Sequence, residues 1–285
     1  MDRTELARKA LKGALEVRQR AEISADIPVC AYDLAEKIGV EVKFVAIKSL
    51  EGMYSKTSQT ILLSCLRPPG RKNQTCCHEI GHWYFKHGNC IDQVNEIANS
   101  VDDTQQEWLA NTFAAFLLMP PWAIREAISR RGYSMSSLTP LQLYSLACQF
   151  NAGYSSLAKH LHWGLALLTR RRHDFLLNFQ PKHLRMELLG EDCPGGLVVS
   201  DKNWASVPID LQVGDYAIIP DDIIVPGSAL QYEKQLKSGI LISASQPGIT
   251  RLQTKAGDWS TYVRVCRKDF TGRSIYRHLE EAEDE

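Results

Sequence analysis

The chain has 285 residues, and its 33 basic and 33 acidic side chains balance at neutral pH. This length is sufficient for two domains, and the neutral charge gives no indication of a constitutive nucleic-acid or membrane binder. No apolar run reaches the ~18 residues of a membrane span, and residues 1–5 are charged and helix-forming. We therefore expect a cytoplasmic protein with no membrane partner.

The first part of the chain predicts helices followed by short strands. Two helices and then three strands are expected, at 2–21, 31–38, 40–47, around 53–54 and at 60–65. The last of these strands precedes the helix described next, and an edge strand in that place can align an extended peptide by backbone pairing. Pro68, Pro69 and Gly70 follow the strand, and we expect this loop to lie at the rim of a cleft.

Residues 78–82 read HEIGH, which matches the HExxH pattern of zinc peptidases. His78 and His82 are four residues apart, so on a helix they share a face and can present both imidazoles to one metal ion. Glu79 lies about 100° further round the helix. Its carboxylate can there hydrogen-bond a metal-bound water and act as a general base. Because apolar residues and two cysteines surround the motif, a buried active-site helix is favoured over a chance occurrence on an exposed helix.

Three protein ligands and an open water position are usual for catalytic zinc, so a third ligand is needed. Glu107 begins an apolar helical stretch that stops at Pro120, and small residues, Ala110 and Ala114, share its face. A close approach of the two helices would bring Glu107 to the metal. The other acidic side chains in the same window are Glu96, Asp102 and Asp103. Spacing alone leaves these rivals open, and it also leaves Glu107 an ordinary first-turn acidic residue that complements the helix dipole.

These motifs resemble those of the ImmA/IrrE family of zinc metallopeptidases. The matching segments are LAEKIGVEV at 34–42, ILLSC at 61–65, CHEIGHWYFKHG at 77–88 and EWLANTFAAFLLMP at 107–120. Together they span nearly the whole first half of the chain. One departure is visible, since Cys76 and Cys77 precede the first histidine where the family often has Phe-Thr-X-Ala.

The resemblance implies a gluzincin-like site in which His78, His82 and Glu107 bind Zn²⁺ and Glu79 is the catalytic general base. It also implies a substrate class, namely a helix-turn-helix transcriptional repressor that is cut between its DNA-binding and oligomerisation parts.

Residues 136–168 have the pattern of a helix-turn-helix. An apolar stripe over 141–150 is followed by a turn at 151–153 and by a second helix from Ser155. Lys159 and two histidines are the only potential cations on the second helix, so packing against neighbouring elements is favoured over DNA recognition.

The part from Arg170 onward predicts strands separated by Gly, Pro and Asp turns. They are expected at 197–199, 213–220, 239–245 and 262–266. Trp204 and Trp259 are available for the core of a small mixed sheet, and the family resemblance implies a GAF-like sensor domain. The predicted fold class is α+β, with a zincin-like peptidase domain at 1–132, a helix-turn-helix-like segment at 133–169 and a mixed α/β regulatory domain at 170–285.

Basic residues cluster at the start of this third part. Arg170, Arg171 and Arg172 form a local patch in a neutral protein. Either it binds a nucleic-acid or nucleotide activator, or it is a solvated face or interdomain contact. Residues 280–285 are an acidic tail that we expect to be disordered.

The eight cysteines are scattered and form no CxxC pair, so reduced thiols are expected. A thiolate could occupy the open position on zinc and inhibit the enzyme until it is displaced. Cys90 is the first candidate because it lies in a loop after the HEIGH helix, and Cys65 is the alternative. The opposing interpretation is that these cysteines, like Cys76 and Cys77, are inert packing residues.

The sequence therefore predicts a cytoplasmic zinc endopeptidase that inactivates a partner repressor in response to a stress or DNA-damage signal. A mobile element, a stress response or an antiphage operon would be the controlled system. The alternative is a non-catalytic, transcription-associated binding protein built on a peptidase fold. The intact Glu79 argues against that alternative, because a binding module has no need of a general base.

Overall fold

The computed structural model describes residues 2–87, 90–93, 101–191, 195–204, 207–225 and 227–279, and at 90–93 and 101–104 it describes the backbone alone. The α-helices are α1 (Arg3–Arg20), α2 (Ala31–Lys37), α3 (Pro69–Phe85), α4 (Val101–Leu118), α5 (Pro121–Arg130), α6 (Pro140–Gln149), α7 (Tyr154–Lys159), α8 (Arg170–Leu177) and α9 (Pro181–Leu189). The strands are β1 (Glu41–Val45), β2 (Leu50–Ser55), β3 (Thr60–Ser64), β4 (Cys90–Gln93), β5 (Leu197–Val199), β6 (Ile209–Gln212), β7 (Tyr216–Ile219), β8 (Ile223–Ile224), β9 (Leu230–Leu236), β10 (Gly239–Ala244), β11 (Gly248–Thr254), β12 (Ser260–Cys266) and β13 (Gly272–Arg273). A π-helical turn (His160–Gly164) and a 3₁₀ turn (Ser274–Tyr276) complete the described elements.

The first sheet has five strands in the order β13-β1-β3-β2-β4. β3 runs parallel to β1 and antiparallel to β2, so Ile61 lies between Val42 and Tyr54. The expectation of an edge strand directly before the HEIGH helix is therefore wrong, because β3 is hydrogen-bonded on both sides. Among the described strands β4 and β13 form the two edges of this sheet, and β4 lies beside β2.

Helices cover this sheet through apolar stripes. The helix predicted at 2–21 is confirmed as α1, which buries Leu6, Ala10, Ala14 and Val17 at helical spacing. α3 begins with Pro69 in its first turn, where the missing N–H costs nothing, and it ends where Lys86 adopts a left-handed φ of 60°. α4 stops before Pro120, as the double proline predicts. α3 and α4 pack against each other and bring the residues of the candidate site together.

The middle of the chain is helical and packs into the same core. Thr139 and Gln142 form a reciprocal capping box at the start of α6. Leu146, Leu157 and Leu161 are fully buried, and all belong to the core that also contains α1 and α4. His160 is buried too, and its Nε2 is 2.9 Å from the carbonyl oxygen of Met119. These contacts agree with the packing role predicted for the two helices.

The C-terminal part contains two four-stranded sheets, in the orders β5-β7-β10-β9 and β6-β12-β11-β8. Both sheets mix parallel and antiparallel pairs, and Trp204 and Trp259 are buried in the core to which both contribute. The expected strand at 213–220 begins later, at Tyr216, because a turn at Gly214 separates it from β6. Between Leu197 and Arg273 the described residues contain strands and no α-helix. The expectation of one small mixed sheet is wrong, because two sheets are present. Residues 170–285 do contain both helices and strands, and their GAF-like fold stays a prediction.

Late residues return to the N-terminal part. β13 pairs antiparallel with β1, with Lys43 opposite Arg273. Asp33 in α2 forms ion pairs with Arg264 and, at 2.8 Å, with Arg277. The predicted boundaries at 132/133 and 169/170 stay predictions, but the last of the three parts supplies a strand to the sheet of the first.

In the part of the chain that the structure describes, no helix is both long enough and apolar enough to cross a membrane.

Candidate metal centre

The two histidines of the HEIGH motif lie on one face of α3, as the four-residue spacing predicts. Their Nε2 atoms are 2.8 Å apart, and the side chains of His78 and His82 are almost completely buried. The flanking cysteines, Cys76 and Cys77, are fully buried on the core side of the same helix. The motif therefore belongs to a buried helix.

Glu107 reaches both histidines from α4. Its Oε2 is 3.1 Å from His78 Nε2 and its Oε1 is 3.2 Å from His82 Nε2. Ligand atoms of these three residues all lie within 4.8 Å of one another, and among the described residues they form a group that could hold a metal ion. Of the predicted rivals, Glu96 and the side chains of Asp102 and Asp103 lie outside the described residues.

The close approach of the two helices depends on small residues where they cross. A Cβ atom built on Gly81 would lie 3.2 Å from Ala110 Cα and 3.1 Å from Phe113 Cδ1. These contacts are tighter than most that a real Cβ makes, so glycine allows α4 to come near enough for Glu107 to reach α3. The alanine face predicted on α4 thus meets a glycine on α3 that belongs to the motif itself.

The separations between the three side chains fit a zinc ion. Ligands in a tetrahedral site at about 2.0–2.1 Å from zinc lie about 3.3 Å from one another. The observed separations of 2.8, 3.1 and 3.2 Å are close to that value. Burial alone would raise the pKa of Glu107, but hydrogen bonds from His78 and His82 outweigh it and hold that pKa well below its ordinary value. A carboxylate that stays ionised is the form a metal ion requires.

Glu79 is completely buried beside this group, against strand β2. A Cβ atom on Gly52 would lie 2.8 Å from Glu79 Oε1 and 2.5 Å from Thr75 Cγ2. Gly52 therefore leaves the room in which the Glu79 carboxylate sits. Sequence reasoning missed this glycine, because only the packing of β2 on α3 shows what it faces.

His87 is a second residue that the motif did not reveal. Its Nδ1 is 3.1 Å from Nδ1 of His82, on the side of the ring opposite the Nε2 that faces Glu107. Burial and the neighbouring His82 lower the pKa of His87 to about 4, so its ring is neutral at pH 7. A neutral imidazole in that position can fix the tautomer and the orientation of a metal-binding histidine. His87 is part of the segment 77–88, but it lies five residues after His82 and outside the HExxH spacing. The sequence therefore did not predict its contact with His82.

The cysteines predicted as a fourth ligand lie in other settings. The backbone of Cys90 begins β4 and pairs with Tyr54 of β2, so the reason for preferring it, a place in a loop, is wrong. Its side chain lies outside the described residues. Cys65 is buried immediately after the central strand β3, and the described metal-binding group contains no cysteine. The cysteine switch stays a prediction that this geometry does not support.

The predicted basic patch forms the first turn of α8. The Arg172 guanidinium donates to the carbonyl of Leu138 and lies 4.6 Å from the ring centroid of Phe175. Arg170 is exposed and 3.7 Å from Asp174, while Arg171 is also exposed. One of the three arginines is thus engaged in packing, which leaves a smaller free patch than the sequence suggests.

Comparison with known proteins supports a peptidase family for the segment that contains this site. A search of curated proteins finds no match to the chain. Residues 26–162 match the family model of the M78 peptidases, described as the IrrE N-terminal-like domain. The match runs from just before α2 to the π-helical turn, and it includes the HEIGH helix and Glu107. This part of the chain belongs to the M78 peptidases, the ImmA/IrrE family that its motifs resemble.

Proposed function

We propose that the protein is a zinc-dependent endopeptidase that cleaves a helix-turn-helix transcriptional repressor in the cytoplasm. The observation that carries the proposal is the convergence of His78, His82 and Glu107 beside the buried carboxylate of Glu79. His78, His82 and Glu107 would hold the ion. Bound zinc supplies a Lewis acid that polarises a carbonyl group and lowers the pKa of water to about 7.

Glu79 carries the proton in this scheme. Its carboxylate accepts a proton from the attacking water and donates it to the nitrogen of the leaving amine. The buried position against Gly52 keeps bulk water away from the carboxylate and fixes its orientation. His87 orients the imidazole of His82 by the contact between their Nδ1 atoms.

The sheet offers a place for an extended substrate. β2 carries Gly52, which faces Glu79, and β4 pairs with β2 on the side away from β3. Among the described strands β4 is the edge next to the candidate site, and an edge strand can pair with a peptide backbone. β4 thus takes the aligning role that the sequence assigned to the strand before α3.

The substrate and the signal come from the family resemblance. A member of this family is expected to act on a repressor, and a stress or DNA-damage signal would start the cleavage. The controlled system would be a mobile element, a stress response or an antiphage operon. The alternative, a non-catalytic binding protein on a peptidase fold, has no use for the general base that the chain retains at Glu79.

The proposal is tested with purified protein and the helix-turn-helix repressor encoded by a neighbouring gene. Wild-type protein should contain about one zinc per chain and should cut the repressor. Glu79→Gln should keep the zinc and reduce cleavage by ~10² or more, because it removes the general base. Glu126→Gln, on the exposed face of α5, is the matched control and should leave both unchanged. Normal zinc content with no cleavage by the wild-type protein would favour the binding-protein alternative.

A further inference from the structure

A cavity lies at the N-terminal end of α3, the helix that carries the HEIGH motif. It opens between the start of α3, the aromatic side chains of α2 and β1, and the segments at 210–212, 266–270 and 277–278. The cavity is lined by both the peptidase domain and the C-terminal sheets, and none of the metal-binding residues line it.

Lys72 is the most unusual residue of this lining. It is only 8% exposed, although long basic side chains normally extend their ammonium group to solvent. Its Nζ lies 5.5 Å from the ring centroid of Phe44, and no carboxylate of the described residues is within ion-pair distance. Burial lowers the pKa of Lys72 accordingly. A buried ammonium group without an anionic partner is costly to the fold, which calls for an explanation other than stability.

Asn73 presents a second unsatisfied group. It is 5% exposed, its Nδ2 donates to the carbonyl of Pro69 at 3.0 Å, and its Oδ1 is buried with no hydrogen-bond partner among the described residues. The bond to Pro69 fixes which atom of the amide is the oxygen. A residue of the cavity lining therefore has an acceptor without a donor in the described chain.

The remaining charges of the lining are not equivalent. Arg277 is held by Asp33 at 2.8 Å, and Asp210 is held by Arg264 through two hydrogen bonds of 2.6 and 2.7 Å. Arg267, in contrast, lies 5.5 Å from the ring centroid of Phe270, and its Nε is buried with no hydrogen-bond partner in the described part of the chain.

After the internal pairs are formed, Lys72 and Arg267 remain as cations without carboxylate partners in the described part of the chain. The N-terminus of α3, a helix of 17 residues, adds its positive end at the same place.

We propose that this cavity is a binding site for a small organic anion with a flat ring. Its phosphate or carboxylate group pairs with Lys72 at the N-terminus of α3, and an N–H or O–H group of the ligand donates to Asn73 Oδ1. The ring lies in the aromatic part of the lining, near Phe44 and Phe270. The site is distinct from the basic patch at 170–172 and from the metal centre.

The position of the ligand relative to α3 follows from helix geometry. Lys72 is six residues before His78, which places it about 9 Å along the same helix axis. A ligand at Lys72 therefore contacts the element that carries the HEIGH motif without reaching the motif. Binding is independent of whether the protein is a peptidase, so its test does not depend on cleavage.

The test uses the full-length protein and two pairs of probes in calorimetry and thermal-shift assays. Adenosine 5′-monophosphate is compared with adenosine, and indole-3-acetate with indole-3-ethanol. Each pair shares a ring with donor groups, and only one member is an anion. We expect at least one of the anions to bind and its neutral partner to bind at least about ten-fold more weakly, since hydrogen bonds to charged groups contribute more than neutral ones. The pair that responds tells phosphate from carboxylate.

Variants locate the binding. Lys72→Met keeps the length of the side chain and should weaken anion binding by about ten-fold or more, whereas Lys37→Met, an exposed lysine of α2, should not. His78→Ala should bind the anion as the wild type does, which excludes binding at the metal centre. Without any probe, Lys72→Met should raise the melting temperature because it removes an unpaired buried charge.

Three results would overturn the proposal. The first is that neither anion binds at millimolar concentration, and the second is that anion and neutral partner bind equally. The third is that Lys72→Met binds the anion normally or lowers the melting temperature, since Lys72 would then be a structural residue. A failure of repressor cleavage would leave all of these measurements unaffected.

Discussion

The two ends of helix α3 use polar side chains in opposite ways. In its second half, His78 and His82 meet Glu107, and each polar group faces another at about 3 Å. Near its start, Lys72 and Asn73 are also buried, but Asn73 Oδ1 has no hydrogen-bond partner and Lys72 has no carboxylate partner among the described residues. The first arrangement is what a metal ion needs, because its ligands must converge. The second suits a ligand with two kinds of group, because the ammonium group is available to an anion and the amide oxygen to an N–H or O–H donor.

The largest effect on zinc binding and cleavage is expected at the metal end of α3, where His78 and His82 lie. Glu107→Ala should lose zinc almost completely, because two imidazoles on one helix do not make a three-ligand site. Cleavage should fall by more than the ~10² expected for loss of a general base alone. Asn111→Ala, one turn further along α4, removes only a bond to the carbonyl of Glu107 and serves as the control. The measurement is the zinc content per chain. A normal content in Glu107→Ala would mean that the third ligand is another residue, with Glu96, Asp102 and Asp103 as the candidates.

The contact between His87 and His82 gives the next effect. His87→Ala should weaken zinc binding by about 10–100-fold, as loss of an orienting partner usually does. Competition with a chelator of known affinity measures the change. His183→Ala, an exposed histidine of α9, should behave as the wild type does. Equal zinc affinity in both variants would mean that His82 is oriented without His87.

A substitution at Gly52 tests the position of the general base Glu79, and its effect on cleavage should be smaller. Gly52→Ala places a Cβ atom where Glu79 Oε1 and Thr75 lie, so the carboxylate must move. We expect zinc to be retained and cleavage to fall by roughly ten-fold or more. Gly81→Ala is a useful contrast because its Cβ would press on Ala110 and Phe113 between the helices. That variant should lose stability and zinc together, whereas Gly52→Ala should keep its zinc and lose rate, whatever stability its closer contacts cost.

The smallest effect concerns the wall of the cavity. Burial opposes ionisation of Asp33, but Arg277 and Arg264 outweigh it and lower the pKa of Asp33 from 3.8 to about 2. The ion pairs therefore stabilise the fold at neutral pH, and this contribution is lost as the pH falls below about 4 toward 2.

Asp33→Asn should lower the free energy of unfolding at pH 7 by about 1–2 kcal/mol, a value reduced for the partial exposure of the pair. Urea denaturation should show that the difference from the wild type shrinks at pH 3. Asp174→Asn, which breaks an exposed pair with Arg170, should change stability much less. If the metal end and the cavity end are independent, zinc content should be normal in both variants.

The sequence predicted the metal end better than the cavity end, and the physical reason is the number of segments involved. His78 and His82 are brought together by one helix, so a spacing of four residues is enough to predict them. Glu107 needed only one further helix, although the rivals could not be excluded by spacing. The cavity combines the first turn of α3 with residues more than 130 positions later, and no local pattern connects them.

The C-terminal part shows a different limit. β12 was predicted because its apolar residues alternate, but β9 was not, because most of its side chains are exposed and polar. Alternation also does not tell which sheet a strand joins, so two sheets were predicted as one. α8 and α9 were missed because their charged and apolar residues gave no continuous stripe to recognise, although each begins at a helix-starting residue, Thr169 or Pro181.

The pairing of β13 with β1 has a consequence for the order in which the protein is made. Chains are synthesised from the N-terminus, and early domains generally fold before later ones emerge. Here the outer side of β1 receives its described partner only when residues 272–273 have been translated. Until then a nascent peptidase domain exposes the backbone of β1 as an open edge, which is a surface prone to pairing with other chains. A ribosome that stalls in the C-terminal sheets would therefore hold an N-terminal domain with its first sheet unfinished.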